Sequence, residues 1–190
     1  MALPAKKERY TFADCLTWGE DERIEIINGE AVMMAPPNRA HQDISGALFA
    51  QLYNFLEGKK CRVYAAPFAV RLFEQEGDSP EDVDTMVEPD LSVVCDNGKL
   101  DNRGCKGAPD LVIEILSPST QRHDRLVKLG LYQRAGVREY WIVDPDSQTV
   151  QVMLQDGSGL QLHEIYNCGD VARVTVLNGC FIDLGKVFSE

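Results

Sequence analysis

The run Leu111-Val112-Ile113-Glu114-Ile115-Leu116 constrains this chain more than any other feature. Aliphatic residues without polar alternation read as a short strand covered on both faces, so the sheet that holds it carries layers above and below. Ser117-Pro118-Ser119 interrupts the run. Thr120 to Ala135 then reads as a helix, with Ser119 or Thr120 as N-cap and Gly136 suited to the C-terminal exit. Glu139 to Val143 is a second apolar strand, stopped by Asp144-Pro145. Strand, helix, strand in that order implies a right-handed parallel crossover.

The flanking sequence supplies further elements. Thr11 to Trp18 reads as a short helix. Arg23 to Ile27 and Glu30 to Met34 read as a hairpin about Asn28-Gly29, a dipeptide that favours positive φ. Arg39 to Glu57 is a long helix with Ile44, Ala47, Leu48, Leu52, Phe55 and Leu56 on one stripe, ended by Gly58. Cys61 to Leu72 is strand-like, with Pro67 at an edge or bulge. Asp90 to Cys95 is a short apolar strand. Thr149 to Leu154 and Leu160 to Tyr166 form a hairpin about Asp156-Gly157, and Arg173 to Leu177 and Cys180 to Leu184 close the chain. The fold class is α/β or α+β, a mixed sheet flanked by helices, in one domain over residues 1–190.

No apolar run approaches the roughly 18 residues of a membrane span. With a polar N-terminus, the expectation is a cytoplasmic protein. Six cysteines stand far apart without a C-x-x-C pair, so reduced thiols are expected. A net charge of −11 argues against the basic footprint of an ordinary nucleic-acid binder. Eight of the acids, however, lie between Glu74 and Asp90, where no base occurs. That run reads as a solvated loop, Asp90 excepted. Arg122, Arg125, Lys128, Arg134 and Arg138 make the stretch from Ser119 to Tyr140 locally basic.

Glu114 is the residue out of place. A carboxylate inside a buried strand costs several kcal/mol (roughly) unless a cation or hydrogen-bond donors meet it. It belongs either to a functional site or to a structural salt bridge. A hard cation wants several oxygens, and two aspartates follow prolines, Asp90 and Asp110. Asp110 lies four residues before Glu114 on the same strand, about 13 Å away at about 3.3 Å per residue. Asp90 begins another strand and converges with Glu114 if the two strands pair. Lys128 shares a helix face with Val127, Leu131 and Tyr132, so it either reaches back over the end of the Glu114 strand or pairs with Asp124 four residues earlier. His41 near the apolar face of its helix and Glu25 between two isoleucines are weaker candidates; the first also suits a boundary histidine and the second a solvent-facing strand position. Phosphate-loop, dinucleotide and nucleophile-elbow motifs are absent, and three histidines do not suggest a histidine-rich metal site.

The stretch from Pro109 to Thr120, with Asp124, Lys128, Tyr132 and Gly136 to Pro145, resembles the Uma-two family of restriction endonucleases. Glu25 to Glu30, His41 and Pro89-Asp90 match it as well, over about Phe12 to Phe188. That family is similar to the PD-(D/E)xK nucleases. The resemblance implies a restriction-endonuclease-like sheet flanked by helices and a Mg2+ or Mn2+ site. Asp90 matches the PD aspartate and Glu114 the second acid, both as metal ligands. Where the superfamily lysine stands, two residues after Glu114, this chain has Leu116, and Lys128 resembles a migrated substitute. Glu25, His41 and Asp124 are auxiliary candidates.

Three functional expectations follow. The first is an endonuclease acting on DNA through Asp90, Glu114 and Lys128, as a homodimer if both strands are cut. The second is a nuclease fold that binds nucleic acid or a protein without cutting, favoured by the acidic surface and the missing lysine. The third gives the loop from Glu74 to Glu88 a regulatory role in repelling DNA.

Overall fold

The structure is a computed structural model that describes residues 7–19, 22–117 and 123–189, with residues 123–125 described in backbone only. In chain order come α1 (Phe12–Cys15), β1 (Ile24–Ile27), β2 (Glu30–Met33), α2 (Arg39–Leu56), β3 (Arg62–Ala65), β4 (Val70–Arg71) and β5 (Leu91–Val94). A 3-10 turn then leads to β6 (Leu100–Asp101), β7 (Gly104–Lys106) and β8 (Leu111–Ile115). A π-helical segment, His123–Lys128, runs directly into α3 (Leu129–Ala135). The chain continues through β9 (Glu139–Asp144), β10 (Thr149–Asp156), β11 (Gly159–Asn167), β12 (Val171–Val174), β13 (Cys180–Asp183) and α4 (Leu184–Val187).

Six strands form the central sheet in the order β11-β10-β9-β8-β5-β3. β8 and β9 run parallel, and every other neighbouring pair is antiparallel. β8 thus sits inside the sheet, and all five of its residues are buried, as its composition demands. Its period-2 alternation assigns the layers. Leu111, Ile113 and Ile115 pack with Ile44, Leu48 and Leu52 of α2 and with the β12–β13 hairpin. Val112 and Leu116 face the other way, toward Leu131 and Tyr132 of α3 and Val70 of β4. Glu114 alternates with Ile113 and Ile115, so it belongs to the α3 layer.

The β1–β2 hairpin turns through Asn28 and Gly29 at φ 50° and 85°, the positive values that its sequence favours. Gly136 takes φ 84° and lets α3 exit in the left-handed conformation. The α2 helix is capped by Asn38, whose side chain accepts the His41 amide at 2.9 Å.

Other expectations are corrected. The strand expected over 61–72 is two strands, β3 and β4, separated at Ala66 and Pro67, where proline has no N–H for the ladder. The segment between β5 and β8 supplies β6 and β7, which join β4 in a small β4-β7-β6 sheet. The N-cap expected at Ser119 or Thr120 falls outside the described residues. Cys61 and Cys95 form a disulfide, not two thiols. The register Arg62↔Val94, extended by one residue, sets these cysteines opposite each other despite 34 intervening steps of sequence. Cys105 and Cys180 are free and buried, and desolvation pushes each thiol up to about 11. The acidic run is a solvated loop only over residues 75–82. Val83, Thr85, Met86 and Val87 are buried, and bridges Ile26↔Met86 and Val70↔Val87 tie the segment to β1 and β4. No helix among the described residues is long and apolar enough to cross a membrane.

Candidate active site

The register of β5 on β8 sets the first part of the site. Leu91 pairs with Ile113 and Ser92 with Val112. Continued by one residue, this register sets Asp90 opposite Glu114 on the same face, where directly opposed side chains start about 4.5–5.5 Å apart at Cβ. The Asp90 carboxylate also accepts the Ile115 amide at 2.7 Å, which fastens it across the end of β8. His41 Nε2 lies 3.1 Å from the same Oδ2 atom, so the first turn of α2 reaches this point. Asp110, at the other end of β8, does different work. It accepts the Cys95 amide at 2.8 Å and pairs with Arg138 at 3.0 Å, at the start of the strand.

The second part comes from β1. All four β1 residues are buried, so Glu25 does not face solvent as strand alternation allowed. The hairpin is held by reciprocal hydrogen bonds of 2.8 Å between Ile26 and Met86. That pairing aims Glu25 inward, where it accepts the Glu88 amide at 2.9 Å. Two carboxylates thereby meet one cation. Lys128 Nζ stands 2.9 Å from Glu114 Oε1 and 3.0 Å from Glu25 Oε1. Lys128, Glu25 and Glu114 are 2%, 1% and 3% exposed, so this is an interior ionic cluster, and Lys128 does reach back over the end of β8. Lys128 ends the π-helical segment, a wider turn that recurs at functional sites. Asp124 lies in that segment, but its side chain is outside the described residues.

Tyr132 completes the cluster. It follows Lys128 by four residues and shares its face. Its hydroxyl donates to Glu114 Oε1 at 2.5 Å. Burial, reinforced by the Glu114 carboxylate, holds the phenol well above its usual range, so it stays a proton donor. Glu88 lies beside Glu25 and pairs with Arg23 at 3.4 Å. Burial raises its carboxyl above the usual range against the opposing pull of Arg23. Sequence reasoning passed over Tyr132, Glu88 and Arg23 as site residues. Tyr132 carried a signal, its spacing from Lys128. Glu88 was indistinguishable from its acidic neighbours.

Among the described residues, the carboxylates of Glu25, Glu88, Asp90 and Glu114 lie near the cationic side chains of Arg23 and Lys128. The donor chemistry fits a hard ion: Mg2+ typically takes one or two carboxylates and keeps water and substrate oxygens for the rest. A closed cage is not what these residues offer, since among the described residues no group of three or more His, Cys, Asp or Glu is arranged to hold a metal. An open cleft of about 230 Å3 is lined by Arg23, His41, Ser45, Phe49, Ala66 and Asp90 among others, so it reaches the site at Asp90 and Arg23.

Residues 11–185 match the family profile Uma2, described as "Putative restriction endonuclease". The chain belongs to the Uma2 family. An uncharacterized protein of Synechocystis, slr1290, is 27% identical over 158 residues, covering 82% of this chain and 79% of the relative. The crystal structure titled "a putative nuclease belonging to DUF820", from Anabaena variabilis, superposes with a TM-score of 0.72 at 20% identity. It covers 94% of this chain and 97% of its own. At that identity the likeness establishes a shared fold, so this Uma2 protein has the mixed-sheet architecture expected from its sequence.

Proposed function

We propose that this Uma2 protein is a divalent-metal-dependent endonuclease that hydrolyses phosphodiester bonds of DNA. The observation that supports the reading is the buried ion cluster of Glu25, Glu114 and Lys128, with Asp90 at the strand position facing Glu114 and in the wall of an open cleft. Asp90 and Glu114 are the residues that would hold Mg2+ or Mn2+. The ion, when bound, supplies Lewis acidity at the phosphate and lowers the pKa of a bound water. Lys128 keeps a positive charge next to Glu114, where negative charge builds on the phosphate during attack. Glu25 fixes the lysine, Tyr132 orients Glu114, and His41 orients Asp90. Two cuts in a duplex call for two such sites, and we infer a homodimer working in the cytoplasm.

The test is incubation of supercoiled plasmid and labelled single strands with Mg2+ or Mn2+. Metal-dependent cleavage that disappears in Glu114→Ala and Asp90→Asn is expected. Undiminished cleavage by both variants refutes the assignment. A second reading, a nuclease fold that binds without cutting, is favoured by the Lys128 ammonium already being shared by two carboxylates. Tight DNA binding and metal uptake with no cleavage of any substrate would support it.

A further inference from the structure

The cleft beside Asp90 poses a charge problem that the cluster does not solve. A phosphodiester anion entering it approaches a chain of net charge −11, with Asp90 in the cleft wall and Glu88 nearby. Lys128 is buried beside Glu114 and is not among the described residues that line the cleft, so it does not meet a phosphate on entry. Among the described residues of that wall, Arg23 is the permanent cation. It precedes β1 by one residue and shares a strand face with Glu25, two residues on. Its guanidinium is incompletely used. The Nε atom is buried and has no partner among the described residues, and the contact from Nη2 to Glu88 is long, at 3.4 Å. A buried N–H without an acceptor is costly and rare, so it points to an acceptor that arrives. Size narrows the choice. Pockets for whole small molecules run from about 300 to 1,000 Å3, and a cleft of about 230 Å3 suits one phosphate group with water, not an enclosed nucleotide. A guanidinium presents a planar fork that matches two phosphate oxygens.

We propose that Arg23 is the residue that binds the substrate phosphodiester, and that Glu88 holds it in waiting. The proposal rests on the nuclease reading and names how its site captures substrate. Glu88 competes with the phosphate for the same fork, and Asp90 marks where the captured phosphate meets the metal-binding carboxylates.

Binding of a fluorescent DNA duplex, followed by anisotropy across a salt series without added metal, tests it. Arg23→Gln is expected to weaken binding about tenfold at low salt, alike for unrelated sequences, and to lower the slope of log K against log salt by about one, the signature of one lost phosphate contact. In the cleavage assay the same variant raises KM more than it lowers kcat. Glu88→Gln is expected to tighten binding, because it releases the fork. A purely structural Arg23 would lower the melting temperature and leave the salt slope unchanged, which overturns the proposal. So does weaker binding by Glu88→Gln, the measurement that stands if Arg23→Gln does not fold. Wild-type protein that binds neither duplex nor single strands overturns the nuclease reading along with it. Wild-type binding with an unchanged Arg23→Gln slope removes only the role of Arg23.

Discussion

Replacing Lys128 by alanine removes the positive charge that Glu25 and Glu114 share at 3.0 and 2.9 Å. Both carboxylates stay in the interior, and the Tyr132 hydroxyl and the Glu88 amide remain as donors to them. Deleting one partner of a buried ion pair costs about 3–5 kcal/mol. In a chain of this length each kcal/mol moves the melting temperature by about 2–4 °C, so the variant is expected to melt about 6–20 °C below wild type. Scanning calorimetry at neutral pH measures this. The double variant Lys128→Met/Glu114→Gln recovers part of the loss, because Glu114 no longer brings an uncompensated charge. Added Mn2+ raises the melting temperature of Lys128→Ala by more than that of wild type, since a metal ion replaces the missing charge in the folded state alone. A Lys128→Ala protein melting within about 2 °C of wild type would refute the argument, because a lysine worth so little is not buried between two acids.

Tyr132→Phe loses a hydrogen bond to a charged acceptor and should cost about 1.5–3 kcal/mol in denaturant unfolding; ultraviolet titration should also show one tyrosine that does not ionise with the others, as its raised pKa requires. Burial raises the Glu88 carboxyl above its ordinary 4.5, so its favourable contribution is complete below that pH and is lost as pH rises through the raised value. Glu88→Gln should therefore melt higher than wild type at pH 8, with the difference fading toward pH 4; a constant offset across that range contradicts the assignment. Asp90→Asn should abolish stabilisation by Mn2+ in thermal melts, whereas Asp110→Asn should lower stability by about 1–3 kcal/mol through its contact with the Cys95 amide and keep the Mn2+ response. An Mn2+ response kept by Asp90→Asn and lost by Asp110→Asn would mean that the wrong Pro-Asp pair carries the metal.

Much of this was legible in the sequence where a physical rule acts locally. An aliphatic run with one acid marks β8 as interior and Glu114 as anomalous, and Asn28-Gly29 and Gly136 mark the two backbone positions that take positive φ. Strand rise alone separates Asp110 from Asp90 as a partner for Glu114. Pairing information was not legible. Whether Glu25 faces in or out depends on Ile26 bonding to Met86, some sixty residues later, and nothing in a four-residue strand encodes that. The same holds for Cys61 and Cys95, which oppose each other only because β3 and β5 pair in one register. The acidic run misled in a different way. Its charge is conspicuous, but the buried Val83, Met86 and Val87 within it decide where its second half goes.

The alignment of β5 against β8 carries an implication for how such proteins change over time. Side chains on a strand point alternately up and down, so an insertion or deletion of one residue ahead of Leu91 that shifted the pairing would send Asp90 and Glu114 to opposite sides of the sheet. The same shift would turn Leu91 and Val93 out of their greasy layer and into the other one. Hydrophobic packing therefore polices the spacing of the two acids, and the geometry of the pocket is inherited from the interior without any separate selection on its alignment.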